Sequence, residues 1–188
     1  MLFWHLGVTV AVIFVTLGRR RIDYRVVLLG AILPDLIDKP VGRIFFESSF
    51  ETSRLFGHTL LFPLALLLGI QILLREERAR RWFVLPIAAL VHVGLDGMWG
   101  DPITLFWPLF GWEFPRVPVR SYWWEVLLRP IQHPLEAAKE VVGLILLAYL
   151  GYAFDLYKSP PRRRFLRNGR LASAREAERS GFEGGGEG

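Results

Sequence analysis

The chain has 188 residues, 52% of them hydrophobic, with seven tryptophans, no cysteine and a formal net charge of +5, and its mean hydropathy is +0.32. Without cysteine there can be no disulfide, thiolate metal site or thiol nucleophile, so any metal must be held by histidine nitrogen and carboxylate oxygen. The arginines sit beside apolar stretches, which points to membrane lipids as partners and against nucleic acid.

In chain order, the first apolar run covers residues 2–17 and is followed by Arg19, Arg20 and Arg21. Charge after the apolar run is the reverse of a cleaved signal peptide, so this segment reads as a retained helix. The second run, residues 26–37, contains Gly30, Pro34 and Asp35 and leads into Asp38. It predicts a broken or partly inserted helix. Residues 39–57 alternate Arg43, Glu47, Glu51 and Arg54 with phenylalanines, as an interfacial amphipathic helix would. Further spans are predicted over residues 58–74, 82–99 and 135–157. An aromatic and proline-rich loop over residues 101–118 lies between the last two.

Together these elements predict an all-α fold: a polytopic membrane helical bundle of about five spans, one of them broken or only partly inserted. Residues 1–158 would form the membrane-embedded domain. Residues 159–188, basic and then rich in glycine and glutamate, would form a disordered tail. The arginine clusters in residues 19–25, 75–81 and 158–164 fall on one side if every segment crosses. The positive-inside rule makes that side the cytoplasm, in a multi-pass cell-membrane protein with its amino terminus outside and its carboxyl terminus inside.

This topology brings His5, Asp35, Asp38, His58, His92 and Asp96 to one depth near the outer interface. His92 and Asp96 are four residues apart and Asp35 and Asp38 three apart, so each pair shares a helix face. A carboxylate in hydrocarbon is costly unless compensated, and a divalent cation is the natural compensation. Asp35, His58, His92 and Asp96 are the metal ligands expected first. His5 and Asp38 are either further ligands or the catalytic base and orienting partner. Arg43, Arg54, Arg116 and Arg120 are candidates to hold an anionic head group. The donor set suits zinc best, with manganese or iron as alternatives. Asp101 before Pro102 reads as turn chemistry, His133 beside Pro134 as structural, and Trp107, Trp112, Trp123 and Trp124 as an interfacial belt.

Four blocks in order, FWHLGVTVAV, ILPDLIDKP, GHTLLF and VHVGLDGMWGDPITLFWPLFGW, resemble the YdjM-type inner-membrane metal-dependent hydrolases over about residues 1–115. The resemblance implies metal-ligand or active-site roles for His5, Asp35, Asp38, His58, His92 and Asp96. Lys39 stands where many members carry a histidine, and only His58 and Thr59 remain of a longer histidine block. A fainter likeness to zinc-dependent phospholipase C helices points to phosphoester chemistry. The expected function is therefore a membrane-bound, metal-dependent hydrolase acting on a lipid-borne or interfacial ester, a phosphoester first. The alternative is a non-enzymatic metal-binding or metal-transporting membrane protein. No HExxH is present, which argues against a peptidase.

Overall fold

The computed structural model describes residues 1–18, 22–116 and 133–171. Among these residues every regular element is helical and none is a strand. Helix α1 (Leu2–Leu17) is apolar almost throughout and stops at Gly18, whose φ of 75° suits glycine. Helix α2 (Tyr24–Pro40) is capped by Asp23, whose side chain accepts the Arg25 N–H. It runs unbroken past Pro34 and passes into a π-helical turn, Val41–Phe45, and the short α3 (Glu47–Phe50). Those two pieces replace the amphipathic helix expected over residues 39–57.

A 3₁₀ turn, Phe56–His58, leads into α4 (Leu61–Leu73), followed by α5 (Glu76–Trp82) and α6 (Val84–Leu95). A second 3₁₀ turn, Met98–Gly100, precedes α7 (Pro102–Leu105). Past the undescribed residues 117–132 come α8 (Pro134–Ala153) and α9 (Ser159–Asn168).

Helix α1 packs against α8 and α2, α2 against α6, and α6 against α4. The core between them holds Val10 and Ile13 of α1, Val27 of α2, Leu85 and Ala88 of α6 and Leu150 of α8. Each large aliphatic side chain so buried contributes about 1.5–3 kcal/mol. The α1–α8 crossing is close because both helices present glycine. A Cβ on Gly7 would stand 2.1 Å from the Gly143 carbonyl oxygen, and one on Gly143 would stand 2.1 Å from that of Phe3.

The polytopic bundle expected from the sequence is overturned: among the described residues no helix is long and apolar enough to cross a membrane. At 1.5 Å per residue, the 16 residues of α1 reach about 24 Å against a hydrocarbon core of about 30 Å. Helices α4 and α6 are shorter still, at 13 and 12 residues. The 17 residues of α2 include Arg25, Asp35, Asp38 and Lys39. Helix α8 has 20 residues but opens on Glu136, Lys139 and Glu140. The orientation drawn from five crossings falls with them.

The tail expected from residue 159 is helical at first. Proline in the first turn of α9 and the left-handed Gly169 (φ 70°) after its end provide start and stop signals. The Tyr24 N–H donates to the Gly169 carbonyl at 2.8 Å, and Arg25 Nη1 donates to the Leu166 carbonyl at 2.7 Å. Leu171 is buried in the core and Phe165 packs against it. These apolar side chains, set among arginines, give the segment a face to bury.

Candidate metal centre

The residues singled out in the sequence come from four elements that meet at one end of the molecule. His5 stands in the first turns of α1, and Asp35 and Asp38 near the end of α2. His58 closes the 3₁₀ turn before α4, and His92 lies in the last turn of α6. Asp96 is the residue that caps α6, and Gly97, left-handed at φ 68°, turns the chain away behind it. The carboxylate is thus presented at a helix end beside the three rings.

Each imidazole is anchored through Nδ1. His5 Nδ1 makes a short contact with the Met1 carbonyl, His92 Nδ1 stands 2.6 Å from the Ala31 carbonyl, and His58 Nδ1 stands 2.7 Å from Asp38 Oδ2. A carbonyl only accepts, so Nδ1 of His5 and of His92 carries a hydrogen, and Nε2 is the ring atom left to meet a further partner. The α2–α6 approach that sets the His92 contact needs Gly30, where a Cβ would meet the Leu85 carbonyl oxygen and the Ala88 Cβ at 2.7 Å.

The three Nε2 atoms are buried and none makes a hydrogen bond. Carboxylates nevertheless stand close to them. His5 Nε2 is 2.8 Å from Asp96 Oδ1, and His58 Nε2 is 3.3 Å from Asp96 Oδ2 and 3.7 Å from Asp35 Oδ1. His92 Nε2 is 3.9 Å from the same Asp35 oxygen. These oxygens lie near the nitrogens but off their hydrogen-bonding direction. Two sets, His5 with His92 and Asp96, and Asp35 with His58 and His92, each gather ligand atoms within 4.8 Å of one another and could hold a metal ion. Atoms held about 2.0–2.2 Å from a shared cation stand roughly 3.0–3.5 Å apart at neighbouring positions and about 4.2 Å apart across it. The nitrogen–oxygen spacings of 2.8–3.9 Å lie close to that range.

Asp38 differs from the other two aspartates. Its carboxylate is fully buried and accepts the backbone N–H groups of Leu55, Gly57 and His58 at 2.7, 2.9 and 3.2 Å, as well as His58 Nδ1. Those donors occupy its oxygens and turn it toward the loop that carries His58.

Electrostatics match this arrangement. Burial alone would raise the Asp96 carboxyl, but the adjacent His5 and His58 rings hold it far below the usual range. Burial would likewise raise Asp35, and Lys39, His92 and His58 outweigh it and keep the carboxyl low. Burial would lower His58, yet Asp38 and Asp96 draw it up to about 9. Burial and the neighbouring His5 push His92 down to about 4, leaving it neutral. The surroundings thus keep Asp35 and Asp96 ionised.

Of the arginines expected to hold a head group, Arg54 reaches the cluster. Its Nε stands 3.4 Å from Asp96 Oδ2, and Nη2 donates to the Asp96 carbonyl at 3.2 Å. Arg43 is buried in the π-helical turn, Arg116 is exposed with no described contact to the cluster, and Arg120 lies outside the described residues. Lys39, the basic residue nearest to Asp35 and Asp38 in the sequence, also joins the cluster: its Nζ stands 2.5 Å from Asp35 Oδ2, four residues back along α2. Asp101 accepts from the Thr104 N–H and hydroxyl and serves its turn, and His133 is exposed at the start of α8. Trp107 joins Trp112, Phe56 and Phe114 in an aromatic cluster next to the His58 turn, while Trp123 and Trp124 lie outside the described residues.

The fold and this donor set define an all-helical protein with a buried histidine–aspartate cluster able to hold a metal ion. The chain belongs to the family described as YdjM inner membrane protein, which matches residues 1–160. That description makes it an inner membrane protein, and the match extends past the stretch carrying the four sequence blocks. Neither a curated protein nor a solved structure matches the chain significantly.

Proposed function

We propose that the chain binds divalent metal at the two donor sets, His5 with His92 and Asp96 and Asp35 with His58 and His92, and uses it to hydrolyse an ester at the membrane interface. The observation that carries this reading is the three buried Nε2 atoms without a hydrogen bond, each ring already fixed through Nδ1. Orphaned buried polar atoms are costly, and metal held at the two donor sets, which share His92, would satisfy all three. Imidazole nitrogen with carboxylate oxygen suits zinc, with manganese or iron as alternatives.

A cation bound there would lower the pKa of a coordinated water toward neutrality and polarise the scissile group. The chain's own residues do the rest. Asp38 fixes the tautomer and orientation of His58, and the Met1 and Ala31 carbonyls do so for His5 and His92. In this reading His5 is a ligand and Asp38 a positioning residue. Asp35 and Asp96 are part exposed, at 20% and 13%, and form the open side of the site, where substrate would enter. Leu36 and Trp99, close in sequence to these carboxylates, and Phe45 and Phe46 beyond the end of α2 are exposed apolar side chains. They suit a lipid-borne or interfacial substrate.

Complete burial of the three rings would also suit a non-enzymatic metal-binding protein. The two part-exposed carboxylates favour hydrolysis, because a purely structural site is closed on all sides. Metal analysis of the purified full chain, with a panel of lipid and soluble esters assayed on the same sample, tests the reading. Stoichiometric metal with metal-dependent hydrolysis is expected. Protein free of metal after purification and reconstitution would overturn it, and metal without hydrolysis would leave only the binding role.

A further inference from the structure

We propose that Lys39 and Arg54 form a two-pronged rim that selects a phosphoryl group, so that the substrates of this site are phosphoesters rather than neutral carboxylic esters. The inference rests on the metal reading above. Lys39 Nζ lies on Asp35 Oδ2 at 2.5 Å, and Arg54 Nε lies 3.4 Å from Asp96 Oδ2. Each cation therefore sits beside one of the two carboxylates of the donor cluster. Both are part exposed, at 32% and 43%, whereas the three rings behind them are buried.

In the structure the two cations and two carboxylates balance pairwise. A divalent cation among the imidazoles would take over the two negative charges and leave Lys39 and Arg54 as two uncompensated positive charges at the mouth. A phosphoryl group has three peripheral oxygens and up to two negative charges, enough to meet both. A carboxylic ester offers one neutral carbonyl oxygen and cannot. Two further consequences follow. Metal and phosphate should strengthen each other's binding, since coupling between sites is reciprocal. Removing either rim cation should weaken phosphate while leaving metal as tight or tighter, because like charge next to the metal is lost.

The test uses the full chain loaded with zinc and titrated calorimetrically with inorganic phosphate. Binding to the zinc-loaded wild type is expected, with weaker binding to zinc-free protein. Lys39→Met and Arg54→Gln should each weaken phosphate by about tenfold while retaining full zinc, and Lys39→Arg should recover much of the loss. Unchanged phosphate affinity in both variants would overturn the proposal. So would loss of zinc together with phosphate, which would make the two residues mere supports of the ligands. A wild type that takes up no zinc would overturn the metal reading instead, and is read out before any phosphate is added. Phosphatidate in mixed micelles, run as a competitor, separates the sources. Displacement of phosphate at lower phosphoryl concentration identifies a lipid headgroup, and equal potency identifies a soluble phosphoester.

Discussion

His58 Nδ1 and Asp38 Oδ2 stand 2.7 Å apart, and the same carboxylate accepts three backbone N–H groups of the loop that carries the histidine. Asp38 therefore fixes both the ring and the turn beneath it. An asparagine in its place has one oxygen instead of two and brings an amide that cannot accept. Asp38→Asn is expected to cost about 2–4 kcal/mol of stability through unsatisfied buried donors. It should also weaken metal binding by about 10–100-fold. Thermal unfolding and metal titration of the purified variant check the two effects. A variant as stable and as well loaded as the wild type would show that the loop holds itself.

His92 is shared by both ligand sets, whereas His133 is exposed at the start of α8. His92→Ala should therefore abolish stoichiometric metal, and His133→Ala should leave it intact. Metal content of the two variants, measured side by side after purification, decides the matter. Equal loading would place the metal elsewhere.

The part of the site written locally was legible in the sequence. His92 and Asp96 share a face of an apolar segment, and Asp35 and Asp38 share a turn of α2. A membrane topology predicts the gathering of His5 and His58 with them, yet it arises from close packing of α1, α2 and α6 and of the Phe56–His58 turn on α2. Helix positions were readable from hydropathy, but crossing was not, because an apolar run of 12 to 17 residues suits a helix buried against neighbours as well as one in lipid. The role of Lys39 depends on how far its side chain reaches along the helix. Docking of α9 depends on Phe165 and Leu171 finding the core. Its local signals, proline in the first turn and Gly169 after the last, were masked by the arginine run between them.

The α1–α8 crossing makes a packing prediction. Gly7 and Gly143 each face the partner backbone with no room for a methyl group. Gly7→Ala should force the helices apart and destabilise the protein by about 1–3 kcal/mol despite the better helix propensity of alanine. Gly151, which has open space around it, is the control, and Gly151→Ala should be neutral or slightly stabilising. Matched melting curves would expose a wrong packing arrangement if the order were reversed.

Asp23 predicts a pH dependence at the other end of the molecule. Its carboxylate accepts from Arg25 and from Arg81 of α5, and it stands against Gly169. Burial would raise its pKa, but the hydrogen bonds from Arg25 and Arg81 outweigh that and lower it. A carboxylate whose folded-state pKa is depressed contributes stability that is full above the ordinary value near 4 and is lost as the pH falls through the depressed one. Both arginines are substantially exposed, so screening limits the effect. Asp23→Asn should cost about 1–2 kcal/mol at pH 7, and the gap to wild type should narrow below about pH 4. Unfolding followed from pH 7 to pH 2.5 checks this. A gap independent of pH would mean that the carboxylate charge contributes nothing.

Metal removal offers the most direct measure of how far the donor cluster depends on a cation. Without one, the buried Nε2 atoms of His5, His58 and His92 keep no hydrogen bond, and two carboxylates face them. A cation that binds the folded chain and not the unfolded one stabilises it by RT ln(1 + [L]/Kd), about 2.7 kcal/mol at a hundredfold excess over Kd. For a chain of this length that corresponds to roughly 5–10 °C in Tm. Chelation of the purified full chain is therefore expected to lower Tm by that order. Zinc should restore it and magnesium should not, because magnesium prefers oxygen ligands and imidazole nitrogen suits zinc. His92→Ala should melt at one temperature with or without chelator. A wild type whose Tm ignores chelation and added zinc alike would mean that the three imidazoles are satisfied in some other way, and the cluster would then be structural rather than a metal centre.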